Sequence, residues 1–145
     1  MIRDVLLVEG INLDLNVENK EELFEKMATI LFDCGKITSK EKYIKALNYR
    51  EKEGMTGMGN GLAIPHGLDD CVKEPTVLFC RLNKTIEYES MDGQGVNKVF
   101  MIAVPANSGQ EHLKIIAMLA RKMMHAEFVE KLDTIQNAEE LLEII

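Results

Sequence analysis

The stretch GMGNGLAIPHG, residues 57–67, holds four glycines, one proline and one histidine in eleven positions. Imidazole is the side chain whose unperturbed pKa lies nearest neutrality, so a neutral ring nitrogen of His66 is available as a nucleophile. Attack on a phosphoryl group gives a phosphoramidate, and the lability of that N–P bond lets the group be passed on. Pro65 removes a backbone donor and restricts Ile64 to extended shapes. Gly67 removes side-chain bulk on the other side. The two together display His66 at the end of a short strand. Gly57, Gly59 and Gly61 let the backbone approach closely, and are expected to clear space for a phosphoryl group bonded to His66.

Other chemistries fit the stretch less well. A nucleotide-binding loop needs Gly-x-x-x-x-Gly-Lys-Ser/Thr, or a strand running into the glycines and a helix leaving them, and Ile64-Pro65-His66 follows instead. A metal site needs ligand spacing. His66, His112 and His125 are the only histidines, and they form no HxxxH or HxH. A plain solvated loop histidine is the remaining alternative, and the Pro-His-Gly setting argues against it.

Phosphoryl chemistry asks for a polar group beside the ring, a cation to offset phosphate charge, and backbone N–H groups aimed at the oxygens. His112 stands in the first turn of the helix after the VFMIAV run, where strand ends meet helix N-termini and the helix dipole favours an anion. Arg50 ends a helix just before the glycines and is within reach of them. Each has a second reading. His112 is also what a plain helix-start residue looks like. Arg50 is also placed to cap its own helix C-terminus. His125, between Met124 and Ala126, reads as solvated and is assigned no role.

The elements that hold these residues follow from periodicity. Ile11, Leu13 and Leu15 alternate with polar residues, which predicts a strand. Asn19 with Glu22 makes a capping-box pattern for a helix whose Leu23, Phe24, Met27, Ile30, Leu31 and Cys34 share a face, and Gly35 stops it. Ser39 opens a second helix with Tyr43, Ile44 and Leu47, ending by Gly54. TVLFCRL (76–82) and VFMIAV (99–104) read as central strands covered on both faces. Between them, a short edge strand near Ile86–Tyr88 and a turn at Asp92-Gly93 are expected. Ser108 with Glu111 repeats the capping-box pattern, before a helix that looks apolar on most sides and is expected to be well buried. Two short helices close the chain, around Glu127–Leu132 and after Asn137, where Asn137 and Glu140 form a third capping box. The order, β, α, α, four strands, then three helices, predicts one α/β domain over residues 1–145: a mixed sheet of about five strands with helices on both faces.

Composition narrows the classes. The chain has 145 residues, 46% hydrophobic and 28% charged, which is globular composition. No apolar run approaches the ~18 residues that span a bilayer. MIRDVLLVEG carries acids around a short apolar stretch and is no signal peptide, so a cytoplasmic location without membrane insertion is expected. The formal net charge is −7 with no basic block, which excludes nucleic acid as a natural partner. Cys34, Cys71 and Cys80 form no CxxC pair and read as reduced, buried thiols.

Two segments resemble a known family. REKEGMTGMGNGLAIPHG, Arg50 to Gly67, resembles the signature of the fructose/mannitol class (type 2) of enzyme IIA domains of the sugar phosphotransferase system. There, an Arg-Glu pair precedes a glycine-rich segment ending in G-[IL]-A-[IV]-P-H. VNKVFMIAVPANSGQEHLKIIAMLARKM, Val96 to Met123, resembles that family's apolar strand, proline, short loop and His-Leu helix.

The resemblance implies a three-layer α/β/α fold with a mixed, mainly parallel sheet. It implies a phosphocarrier in which His66 accepts a phosphoryl group from the histidine-phosphorylated protein HPr and donates it to a sugar-specific IIB protein, usually on cysteine. It implies that His112 supports the ring or the phosphoryl group, that Arg50 is an active-site arginine, and that no cofactor or metal takes part. The membrane IIC permease is then an indirect partner, and if the chain serves transport IIB and IIC are expected to be separate polypeptides. Fructose-like sugars are the commonest substrates of this class. A second function uses the same histidine: a regulatory phosphoprotein of the nitrogen-related branch, which binds target proteins according to its phosphorylation state. Two different proteins must reach the reacting atom in turn, so a shallow depression with an apolar rim is expected. Met55, Met58 and Leu62 stand near enough for that rim, or for ordinary packing.

Overall fold

The computed structural model describes residues 2–145. The elements, after two short 3-10 turns, are β1 (Asn12–Leu15), α1 (Lys20–Asp33), α2 (Lys40–Glu53), β2 (Gly57–Gly59), β3 (Leu62–Ala63), β4 (His66–Leu68), β5 (Thr76–Ile86), β6 (Val96–Val104), α3 (Gly109–Met123), α4 (Ala126–Thr134) and α5 (Ala138–Ile144). The sheet runs β1-β5-β6-β3-β2, with β4 also paired to β6. It is mixed. β1–β5, β3–β6 and β4–β6 are parallel, whereas the long β5–β6 pair and the small β2–β3 hairpin are antiparallel.

Alternation along the two long strands builds the three layers. Leu78, Cys80, Val99, Met101 and Ala103 face a core shared with Leu23, Phe24, Met27 and Leu31 of α1 and Tyr43 and Leu47 of α2. Val77, Phe79, Phe100, Ile102 and Val104 face the other core, with Ile115 and Leu119 of α3, Phe128 and Leu132 of α4, and Leu141 of α5. Both strands are buried on each face, which is why they read as continuous apolar runs.

Three of the four helix starts read from sequence are side-chain caps. The Asn19, Ser39 and Asn137 side chains accept from the backbone N–H of Glu22, Lys42 and Glu140 at 2.9, 3.1 and 2.9 Å, each worth about 1 kcal/mol. Ser108 differs, because its side chain makes no cap bond. Only its carbonyl begins α3, accepting from the His112 N–H at 3.1 Å.

Two other expectations are corrected. The separate edge strand near Ile86–Tyr88 is absent, because β5 continues through Ile86, which pairs with Val96 beyond a break in register after Arg81. The exposed run Asn83–Thr85 lies in that break and hides the continuity from a pattern search. Helix α3 is less buried than its composition suggests. Only Ile115 and Leu119 are fully covered, and Leu113 is 66% exposed. An outer-layer helix buries one stripe, and apolar residues off that stripe remain in solvent.

The three cysteines are free thiols, Cys71 and Cys80 buried and Cys34 half-buried. Burial pushes Cys71 and Cys80 up to about 12, so neither carries thiolate at neutral pH. Among the described residues, no helix is long and apolar enough to cross a membrane.

Candidate functional site

β3 and β4 form one interrupted strand along the same edge of β6. Leu62 and Ala63 pair with Lys98 and Val99, and His66, Gly67 and Leu68 pair with Ile102, Ala103 and Val104. Ile64 and Pro65 break the run, but the Pro65 carbonyl still accepts from Ile102 N–H at 3.0 Å. His66 therefore opens β4 at the carboxyl end of β6, a few residues before the chain turns into α3. Leu62 and Ile64 pack on the α3 side of the sheet, and the His66 side chain follows them to that side. Gly67 faces the other way, onto α2. A Cβ at Gly67 would stand 3.1 Å from the Ala46 Cβ and 3.3 Å from the backbone of Ala46 and Leu47.

The structure brings His66 and His112 together. Their ring centroids are 4.7 Å apart, tilted by 51°. His66 is only 4% exposed. Its Nδ1 lies 2.7 Å from the Ile64 carbonyl oxygen. A carbonyl only accepts, so Nδ1 carries the proton and the lone pair sits on Nε2. Burial lowers the His66 pKa. The Ile64 bond opposes this, Arg50 adds to the lowering, and Glu51 counters it. Burial, then the neighbouring His66 and Arg50, push His112 down to about 4. Both rings are neutral at neutral pH. His112 Nε2 is buried with no hydrogen-bond partner among the described residues.

A depression of about 680 Å³ opens beside the pair. One stripe of α2 lines it: Lys42, Lys45, Ala46, Tyr49, Arg50 and Glu53, spaced as one helix face. His66, Gly67, Leu68, Asp69 and His112 complete it. Arg50 is among the lining residues, and its Nη1 donates to the Gly54 carbonyl at 3.0 Å, the helix-end bond expected of it. The stripe was visible in the sequence as a helical spacing, once its partner face was known.

The glycines before His66 do something other than expected. Gly57, Gly59 and Gly61 do not line the depression. They build the β2–β3 hairpin, where Gly59, Asn60 and Gly61 all take positive φ (92°, 56° and 78°), and the Asp92 carboxylate accepts from the Asn60 N–H at 3.0 Å. The space they clear is filled by the segment from Glu89 to Lys98. The rim is likewise not built from the methionines. Leu62 and Met58 belong to the core packing, and Met55 borders a separate surface groove with Tyr88. The exposed apolar residue that does line the depression is Tyr49, 69% exposed. His125 is exposed at the start of α4, away from the pair.

Sequence reasoning missed a buried polar cluster behind Arg50. Glu51 accepts from Lys20 at 3.0 Å and from the Thr56 hydroxyl at 2.5 Å, and Tyr88 joins it. These residues lie up to 68 positions apart, and no local pattern links them.

Comparison with known proteins finds relatives of this chain by sequence and by fold. The family model described as phosphoenolpyruvate-dependent sugar phosphotransferase system, EIIA 2, matches residues 4–145. The PTS system fructose-like EIIA component of Escherichia coli is 38% identical over 83% of this chain and 82% of its own length. The crystal structure of nitrogen regulatory protein IIA-Ntr from Neisseria meningitidis superposes with a TM-score of 0.90 at 35% identity, covering 99% of this chain and 97% of that one. The enzyme IIAMTL complex with phosphorylated enzyme IIBMTL from Escherichia coli gives a TM-score of 0.79 at 25% identity, covering 94% and 93%.

Proposed function

This chain belongs to the EIIA type-2 family of the phosphoenolpyruvate-dependent sugar phosphotransferase system, and on that premise we propose that it is a phosphocarrier acting through His66. The Nε2 lone pair attacks the phosphorus of a phosphohistidine on HPr. The new N–P bond forms as the donor's N–P bond breaks, and the donor ring keeps the electron pair. In the second half the same bond breaks toward a nucleophile on a IIB protein, usually a cysteine sulfur. The sugar is fructose-like, the site is cytoplasmic, and the IIC permease is reached only through IIB.

The observation that carries this reading is the bond from His66 Nδ1–H to the Ile64 carbonyl. It fixes the tautomer with a free Nε2 in a ring that burial keeps neutral. His112 supplies a buried Nε2 without a partner among the described residues, suited to donate to a phosphoryl oxygen, and Arg50 offsets its charge. Positioning and charge stabilisation do most of the work in phosphoryl transfer. Exposed Tyr49 gives the rim an apolar contact suited to transient partners.

Incubation with phosphoenolpyruvate, enzyme I and HPr tests this. Wild type takes up acid-labile label and His66→Ala takes up none; label persisting on the variant overturns the assignment. A second reading has its own support, the likeness to IIA-Ntr at TM-score 0.90: a regulatory phosphoprotein that binds target proteins according to its phosphorylation state. Phosphoryl transfer onto a IIB protein favours transport. No transfer to any IIB, together with phosphate-dependent binding to a kinase or channel, favours regulation.

A further inference from the structure

Beyond the histidine pair, the cluster around Glu51 leads back to the reacting ring through a continuous run of bonds. Its side chain is 8% exposed. Oε1 accepts from Lys20 Nζ at 3.0 Å. Oε2 accepts from the Thr56 hydroxyl at 2.5 Å and lies 3.4 Å from the Tyr88 hydroxyl. The Thr56 and Tyr88 oxygens are 2.6 Å apart, and Lys20 also sits 4.7 Å from the Tyr88 ring centre. Thr56 is thus buried and held through its side chain from α1, α2 and the segment after β5. Its main chain faces the site. The Thr56 carbonyl accepts from Ile64 N–H at 2.9 Å, and the Ile64 carbonyl is the acceptor for His66 Nδ1–H.

The path therefore runs Lys20, Glu51, Thr56, Ile64, His66. Pro65 stiffens its last link by fixing its own φ and restricting Ile64. The acceptor that selects the His66 tautomer is a backbone carbonyl, and its position depends on where Thr56 is held. Displacing it weakens the Nδ1–H bond, which is sharply angle-dependent. The competing Nε2–H tautomer has its lone pair on Nδ1, facing the Ile64 oxygen, and has no lone pair on the exposed side of the ring.

Resting on the reading of His66 as the phosphoryl acceptor, we infer that Glu51 and Thr56 are positioning residues for the reaction: their side-chain bond holds the Ile64 carbonyl that keeps His66 in its nucleophilic tautomer. Neither touches the phosphoryl group. A purely structural role for the cluster lowers stability and leaves the tautomer alone, so the two are separable.

The test is long-range ¹H–¹⁵N correlation of the His66 ring at neutral pH, alongside initial rates of phosphorylation by phospho-HPr. Wild type shows Nδ1 protonated and Nε2 bare. In Thr56→Val, which keeps the shape and loses the hydroxyl, the bare-Nε2 form falls to about half, and the rate falls about two- to tenfold as misorientation adds to the tautomer loss. Thr56→Ser restores both. Should the valine variant fail to fold, Glu51→Gln, which puts a donor where Thr56 or Lys20 needs an acceptor, decides by the same readouts. An unmoved tautomer in a folded variant, or an unchanged rate beside a shifted tautomer, overturns the inference. Failure of wild type to take up label from phospho-HPr instead overturns the reading of His66.

Discussion

His66 and His112 meet at the carboxyl end of β6, one opening β4 and the other in the first turn of α3, with ring centroids 4.7 Å apart. His66 spends Nδ1 on the backbone, whereas His112 Nε2 has no partner among the described residues. A buried polar atom without a partner costs stability, about 1–3 kcal/mol, so its retention suits a ligand that arrives during turnover. His112→Ala should therefore still accept phosphate from HPr while donating it onward about 10- to 100-fold more slowly. Rapid-quench measurement of the two half-reactions separates them. Wild-type donation in the variant reduces His112 to a packing residue.

The lowered pKa values carry a sign that denaturation can read. His112 falls from 6.5 to about 4 on folding, so the folded state binds fewer protons than the unfolded state between those values. Its contribution to stability is complete above about pH 6.5 and is lost as pH falls toward 4. His66 acts in the same direction. Urea titrations of wild type and His112→Gln across this range should show stability falling faster in wild type. Parallel curves would mean that His112 is not desolvated in solution.

Local signals carried much of this structure, and long-range pairings carried the rest. The Asn19, Ser39 and Asn137 caps each need a side chain and a backbone three residues on, so sequence spacing is enough to see them. The strands β5 and β6 announce themselves by burial on both faces. By contrast, the partition of GMGNGLAIPHG into a hairpin and a broken strand depends on its pairing with β6, more than thirty residues away. Without that partner, Gly57, Gly59 and Gly61 look like a phosphate cradle rather than room for residues 89–98. The bonds of the Thr56 hydroxyl follow no periodicity in the sequence, because its partners Glu51 and Tyr88 come from two other elements.

Arg50 has a structural bond and a functional position, and they predict different magnitudes. Its bond to the Gly54 carbonyl lies at the solvent-facing end of α2, so Arg50→Ala should cost no more than about 1 kcal/mol of stability. The same change should slow phosphoryl transfer about 10- to 100-fold, because a cation lining the depression is lost. Arg50→Lys keeps the charge without the planar fork and should fall between. Thermal melts beside transfer rates check this; a loss of several kcal/mol exceeds what one exposed capping bond supplies and assigns Arg50 a packing role instead.

Gly67 sets how closely α2 lies over the strand that carries His66. A Cβ there meets not only the Ala46 side chain at 3.1 Å but main-chain atoms of α2 at 3.3 Å, and a helix backbone cannot yield as a side-chain tip does. Gly67→Ala should therefore destabilise by about 1–3 kcal/mol through overpacking. It should also slow transfer, since the helix that moves carries Arg50 and Tyr49. Removing the Ala46 methyl as well leaves the main-chain contact and adds about 1 kcal/mol for a glycine inside a helix. The double variant Ala46→Gly, Gly67→Ala should accordingly recover little stability. Urea midpoints and transfer rates for the three proteins decide the point: full recovery in the double variant assigns the close approach to the two side chains alone, and wild-type behaviour of Gly67→Ala removes the constraint altogether.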